Sequence, residues 1–240
     1  MDNIEAIVLA AGKGKRMKSL TKDLPKPLIK VGGLTLIDRV LDDLANSGIG
    51  RAIVNTHYLG HMLKKHLSDR KLSKKKPIIT FSDEKDKLLD TGGAIVFAMP
   101  LIKCKKIFIV NSDIIKFDEN NDSYKALFEK FDSKKMDFLL LLQPTEGAIG
   151  YDGYGDFELS HNLKLSRANQ NSNKSYVYAG VCICEKKIFE KINSNTFSLN
   201  LLWDKSILKN RLYGFVHKGK WFHVGTLDGY HSAERFFNNE

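Results

Sequence analysis

No stretch of the 240-residue chain approaches the roughly 20 consecutive apolar residues that a membrane-spanning helix requires. The opening residues, Met1 to Ala6, are acidic and lack the basic segment of a secretory signal. Cysteine is scarce: Cys104, Cys182 and Cys184 cannot all pair within the chain, and no C-x-x-C occurs. Cys182 and Cys184 fall on the same side of one expected strand, so the three read as reduced thiols and point to a cytoplasmic protein. No repeat at a 20–50 residue period and no low-complexity linker interrupts the chain. A membrane protein and a secreted protein are both set aside on these grounds. What is present is ordinary: 42% hydrophobic and 28% charged residues, a balance wrong for disorder. At this length roughly 70% of the unfolded chain's surface is buried on folding, enough for a full-sized core.

Lys and Arg number 38 against 28 Asp and Glu, a net charge of +10 with an isoelectric point near 9.3. That excess favours anionic partners: nucleic acid, acidic lipid or phosphorylated small molecules. It is mostly Lys and is spread along the chain, which argues against a dedicated nucleic-acid binder. The densest run, Lys74-Lys75-Lys76 before Pro77, reads as a solvated loop.

Apolar runs of strand length alternate with amphipathic stretches. Strands are expected at Ala6–Leu9, Ala52–Asn55, Ile78–Phe81, Ile107–Val110 and Phe138–Leu142, and helices at Leu36–Leu44, Leu59–Leu67, Ala94–Met99 and Tyr124–Phe131. Near-continuous apolar strands in β-α-β order predict a mainly parallel sheet covered by helices on both faces. The second half is less regular. A hairpin is expected from Asp156–Leu159 and Leu163–Ser166, then a polar, mobile loop over Asn169–Ser175 and a long strand at Tyr176–Ile183. Helices at Lys186–Ile192 and Leu199–Lys209, a strand at Leu212–Val216 and a helix from Leu227 complete the pattern. One domain with a nucleotide-binding half follows.

The first strand runs into Leu9-Ala10-Ala11-Gly12-Lys13-Gly14-Lys15-Arg16-Met17. A glycine-rich turn after a first strand is where α/β folds meet phosphates with bare backbone N–H groups. A dinucleotide fingerprint fails, because Met17 stands where the third glycine belongs, and a Walker A loop is absent. Further on, Leu24-Pro25-Lys26-Pro27-Leu28 holds one lysine between two stiffening prolines. A triphosphate site and a structural turn are both open readings of these residues alone.

L-A-A-G-x-G-x-R-M followed by P-K-P-L resembles the signature of the sugar-1-phosphate nucleotidylyltransferases. Asp90-Thr91-Gly92-Gly93-Ala94 is similar to that family's base-binding stretch, Val110-Asn111-Ser112-Asp113 to its metal-holding N-x-D, and Trp221-Phe222-His223-Val224-Gly225-Thr226 to its late W-x-D-x-G-T. The base loop Leu88-Leu89-Asp90-Thr91-Gly92-Gly93 and Gly153-x-Gly155-Asp156-Phe157 resemble most the N-acetylmuramate-1-phosphate uridylyltransferases of cell-wall recycling. Motifs overlap with mannose-1-phosphate guanylyltransferases and glucose-1-phosphate thymidylyltransferases, and no hexapeptide acyltransferase repeat follows. The resemblance implies a Rossmann-like three-layer α/β fold with a mainly parallel mixed sheet and a small β-hairpin lid region. It implies a single domain over 1–240, with a nucleotide-binding half at 1–115 and a sugar-phosphate-binding half at 116–240.

It also implies roles. A sugar-1-phosphate oxygen attacks the α-phosphorus of a nucleoside triphosphate, UTP favoured, and pyrophosphate leaves. Two polyanions must meet, so most of the catalytic work is charge neutralisation and positioning. Arg16 would hold the leaving pyrophosphate and Lys26 the α- or sugar phosphate. Leu9, Ala11, Gly12, Gly14, Lys15, Thr91 and Gly92 would bind the nucleotide, and Asn111 and Gly180 the sugar, Gly180 because a missing side chain admits it. Asp113 and His223 would hold Mg²⁺. His223 departs from the family's aspartate there, which opens the site to Mn²⁺ or Co²⁺. The same departure keeps a catalytically inactive nucleotide-sugar-binding module in play. Arg16 and Lys26 are expected to face solvent without substrate.

Other residues have plainer readings. His57 and His61, four apart, lack a third metal ligand and read as surface or helix-start histidines. Trp203, Tyr213, Phe215, Tyr230, Phe128 and Phe131 read as core. Asp83 and Glu84 are expected only to lead into the base loop.

Overall fold

The computed structural model describes residues 3–74, 76–84, 87–119, 122–172, 174–192 and 196–238, without the Lys18 side chain. The first apolar run forms β1 (Ile4–Leu9), buried on both faces as a central strand must be. After the glycine loop come two short strands paired with each other, β2 (Lys30–Val31) and β3 (Leu34–Thr35). α1 (Leu36–Asn46) starts where Thr35 Oγ1 accepts the Asp38 amide at 3.1 Å, and it buries Ile37, Val40, Leu41 and Leu44 on one face. β4 (Arg51–Thr56), α2 (Gly60–Ser73), β5 (Ile78–Asp83), α3 (Asp90–Ala98) and β6 (Lys106–Asn111) continue the alternation read from the sequence. All four strands are parallel, in the spatial order β5-β4-β1-β6. The chain builds outward from β1 to β5, then returns to the other side of β1. This reversal leaves a crevice at the carboxyl ends of β1 and β6, where open α/β sheets bind ligands.

The second half extends the same sheet. In chain order it comprises β7 (Ile114–Asp118), α4 (Ser123–Lys130), β8 (Phe138–Pro144), β9 (Ala148–Ile149), β10 (Phe157–Leu159), β11 (Leu165–Arg167), β12 (Tyr176–Glu185), α5 (Asn200–Leu208), β13 (Leu212–Val216), β14 (Gly219–His223) and α6 (Leu227–Asn238). β12 runs antiparallel to both β6 and β8, and β13 lies parallel to β8, giving a nine-stranded mixed sheet. The β10–β11 hairpin joins it through Phe157 opposite Tyr176, with Phe157 and Leu165 buried in the core. The helix expected over Lys186–Ile192 is only one 3-10 turn, Lys186–Phe189. Phe189 is its one deeply buried side chain, too narrow an apolar stripe to carry a longer helix. In the polar segment after the hairpin, Ser172 Oγ donates to Glu158 at 2.6 Å and Ser175 Oγ to the Tyr154 carbonyl at 2.5 Å.

The sequence pattern missed a second sheet of three strands, β7-β14-β9. β7 follows the N-x-D segment and β14 carries the Trp221–His223 segment. Their antiparallel register sets His223 opposite Ile114 and Phe222 opposite Ile115. Beneath it Met17, Ile29, Val31, Leu36, Ile115, Phe222, Val224 and Ala233 form a small core apart from those on the two faces of the main sheet. Cys182 and Cys184 are buried free thiols in the main core. No described helix is long and apolar enough to cross a membrane.

Candidate active site

The crevice between β1 and β6 opens into a cavity of about 390 Å³. Leu9, Ala11, Gly12, Gly14, Lys15, Arg16, Lys26, Thr91, Asn111 and Asp113 all line it, so most of the expected residues gather in one place. Gly14 turns the loop with φ +61°, a backbone conformation that side chains rarely adopt, and the Thr21 hydroxyl donates to its carbonyl at 2.9 Å. Met17, at the position where a dinucleotide loop has glycine, is fully buried in the small core and anchors the loop. A Cβ on Gly12 would meet nothing within 4 Å, so that backbone borders open space.

Two expected residues lie elsewhere. Gly92 is outside the cavity wall: its N–H donates to the Phe197 carbonyl at 2.9 Å, and a side chain there would collide with the Phe197 ring. Its small size seats α3 on the 196–199 segment and leaves Thr91 to face the cavity. Gly180, at φ +82°, would place a Cβ 2.6 Å from Ile114 Cγ1 and lines neither cavity. The space it leaves is taken by β7, with no room there for a sugar.

Asp113 is the centre of charge. Lys26 Nζ lies 2.6 Å from Asp113 Oδ2, with the two side chains 12% and 25% exposed. Lys26 is therefore largely covered, contrary to the solvent-facing position expected, because its ammonium is drawn to Asp113; Arg16 is exposed as expected. His223 Nε2 stands 3.9 Å from the same oxygen. The Val224 amide donates to the Asp113 carbonyl at 2.9 Å, extending the β7–β14 ladder that brings the two motifs together. Burial pushes the Asp113 carboxyl up, but the Lys26 ammonium and the His223 ring outweigh it and hold the carboxyl below its usual range. Burial pushes His223 below the ordinary imidazole value despite the pull of Asp113, with Lys26 and Arg16 adding to the lowering. Asp113 and His223 offer one carboxylate and one imidazole nitrogen, donors of a kind that divalent cations accept. Among the described residues no third His, Cys, Asp or Glu joins them.

A second cavity, about 420 Å³, adjoins the first and shares Leu9, Arg16, Asp90, Thr91, Asn111 and Asp113 with it. His223, Trp221, Tyr151, Asp156, Tyr178, Asn200 and Trp203 form much of the rest. Trp203 is core as read, 5% exposed, yet one edge of it reaches this cavity. Burial pushes the Asp156 carboxyl up, against the opposing effects of the Tyr178 amide, Arg167 and His223.

Sequence reasoning does not place Asn55 and Glu84 in the site, although both line the first cavity. Asn55 Oδ1 accepts the Ala10 amide at 2.5 Å and its Nδ2 donates to Glu84 Oε1 at 2.7 Å, while Glu84 Oε2 accepts the Leu89 amide at 3.1 Å. One buried pair thus ties β1, β4 and the base loop together. The available signal is a polar side chain ending an apolar parallel strand. His57 donates to the Glu84 carbonyl at 2.6 Å and serves that junction.

The mixed sheet and the glycine loop at its crevice place the chain in a class of nucleotidyl-transferring enzymes. The sequence pattern of the nucleotidyl transferase family matches residues 5–240, and the chain belongs to that family. It is 35% identical, over 95% of both chains, to the N-acetylmuramate alpha-1-phosphate uridylyltransferase of Caulobacter vibrioides. It is 27% identical, over 97% of both, to the D-glycero-alpha-D-manno-heptose 1-phosphate guanylyltransferase of Aneurinibacillus thermoaerophilus. In fold it matches the crystal structure of HddC from Yersinia pseudotuberculosis complexed with GMP-PN, with a TM-score of 0.74 at 24% identity over 97% of this chain and 99% of that one. The chain is a sugar-1-phosphate nucleotidyltransferase.

Proposed function

We propose that the protein transfers uridylyl from UTP to N-acetylmuramate 1-phosphate, releasing pyrophosphate, in the cytoplasmic recycling of cell-wall sugar. The observation that carries the reaction is the pair of adjoining cavities with Arg16 and Asp113 in the wall of both. One cavity suits a nucleotide and the other a sugar, with their phosphates meeting between them. The 35% identity to the Caulobacter enzyme favours the particular substrates.

In this reading the 12–16 loop offers backbone N–H groups to the triphosphate. Arg16 neutralises the departing pyrophosphate with forked donors, and Lys26 exchanges Asp113 for a phosphate oxygen. A sugar-phosphate oxygen forms its bond to the α-phosphorus as the bond to the β-phosphate oxygen breaks, with no covalent bond to the enzyme. Asp113 and His223 would hold a divalent cation, which supplies Lewis-acid stabilisation of the α-phosphate. Imidazole nitrogen suits Mn²⁺ or Co²⁺ at least as well as Mg²⁺.

The test is a matrix of nucleoside triphosphates against sugar 1-phosphates, read by pyrophosphate release. UTP with N-acetylmuramate 1-phosphate is expected to be fastest. GTP with a heptose or mannose 1-phosphate as the best pair would overturn the substrates and keep the reaction. Silence across the matrix would leave a binding module.

A further inference from the structure

Asp156 stands where β10 begins, and its side chain takes over a rung of the sheet. Phe157 pairs with Tyr176, and the Asp156 amide donates to the Tyr176 carbonyl at 2.8 Å. The next inward amide of β12, Tyr178 N–H, donates to Asp156 Oδ2 at 2.8 Å. One carboxylate oxygen is thereby fixed to the ladder. The other has no hydrogen-bond partner, and no cation pairs with the carboxylate among the described residues, although the side chain lines the second cavity. A half-buried carboxylate costs free energy unless donors reach it, and here the donors must come from whatever fills the cavity.

The surroundings identify that occupant's chemistry. Tyr151, Trp203 and Trp221 line the same cavity and offer flat apolar surface. A fixed acceptor among aromatic faces matches a pyranose, which has apolar C–H faces and a rim of hydroxyl or amide donors. Arg16 is the only Lys or Arg among the described lining residues, and it is shared with the first cavity. Phosphate is thus drawn toward the shared wall, while Asp156 meets a donor-bearing, uncharged edge.

We infer that Asp156 is the sugar-recognising residue of the second cavity, accepting a hydrogen bond from a hydroxyl or acylamino N–H of the sugar 1-phosphate. This rests on the proposed reaction for the identity of the occupant. A carboxylate substituent, such as the lactyl group of N-acetylmuramate, must then point away from Asp156.

Asp156→Asn separates recognition from folding. Its amide oxygen still accepts the Tyr178 N–H, while the atom facing the cavity changes from acceptor to donor. The wild type and this variant are titrated by calorimetry with N-acetylglucosamine 1-phosphate, N-acetylmuramate 1-phosphate and inorganic phosphate, and pyrophosphate release is measured in parallel. The variant should bind the sugar phosphates about tenfold or more weakly, the loss of one charge-assisted hydrogen bond. Inorganic phosphate should bind equally to both proteins, and the melting temperature should hold within about 2 °C, less than 1 kcal/mol of destabilisation. Unchanged sugar-phosphate binding, or equal weakening toward inorganic phosphate, overturns the inference. Intact, Asp156-dependent binding without pyrophosphate release overturns the proposed reaction and leaves the recognition standing.

Discussion

Replacing Lys26 by methionine keeps the stem and removes the ammonium, and its consequences can be worked from the Asp113 pair. At the 2.6 Å separation, with the side chains 12% and 25% exposed, both charges are largely withdrawn from water. An effective dielectric of about 20 gives a gross attraction of about 6 kcal/mol. Desolvation cancels most of it, leaving roughly 1.5–3 kcal/mol for a hydrogen bond between charged partners. For a chain of this size that corresponds to a fall of about 5 °C in melting temperature. Activity should fall further in proportion: losing a cation that meets charge building on phosphate lowers kcat/KM by about 10²-fold or more. Thermal melts and pyrophosphate release measure the two effects. Asp113→Asn and the double variant complete a cycle, in which the double variant should lose less stability than the two singles added together. A Lys26→Met enzyme with a near-normal rate, or strict additivity in the melts, would refute the reasoning.

Arg16→Ala should lower turnover by about 10²-fold without moving the melting temperature, because the side chain is exposed in the substrate-free protein; steady-state kinetics beside a melt checks this. Chelation by EDTA should abolish pyrophosphate release, and Mn²⁺ or Co²⁺ should restore it at least as well as Mg²⁺. His223→Asp should shift that preference toward Mg²⁺, and an unchanged metal titration in this variant would remove His223 from the cation site. Asp118 accepts from Lys116 at 2.9 Å and from the Ser123 amide at 3.0 Å, beside His217. Burial pushes its carboxyl up, but the His217 hydrogen bond, Lys116 and Ser123 hold it far below the usual range. Its contribution to stability is thus present above the unfolded value near 3.9 and is lost as pH falls toward the folded one. Asp118→Asn should cost about 2–4 kcal/mol at pH 7. The variant should also show a shallower loss of stability below pH 4 in urea melts.

The parallel core was readable because β-branched runs such as Ile107–Val110 are buried on both faces and so are apolar throughout. The β7-β14-β9 sheet was not, since Ile115 and Phe222 become neighbours only when segments some hundred residues apart pair, and neither segment has a strong local pattern. That Gly12, Gly14 and Arg16 gather in one cavity wall was legible from their close spacing after the first strand. Gly92 and Gly180 show the limit: a missing side chain marks a close approach, and the sequence does not say whether a ligand or Phe197 and Ile114 makes it. Asp156 and Asn55 were hidden differently, each bonding to backbone or side chains on other elements before facing a cavity.

Met17 has a consequence in time. The glycine loop is made within the first seventeen residues, but Phe222, Val224 and Ala233, on which Met17 rests, come from β14 and the segment beyond it. Glu234 on α6 also accepts the Gly32 amide at 3.0 Å, pinning the turn between β2 and β3. At about 5–20 residues per second, the loop is synthesised roughly 10–40 s before the last part of its floor. Over that interval the loop has the Thr21 bond and Ile29, Val31, Leu36 and Ile115 but lacks the late part of its core. A chain halted before β14 would keep its parallel strands and its glycine loop while lacking Phe222, Val224 and Ala233 from the core that seats Met17.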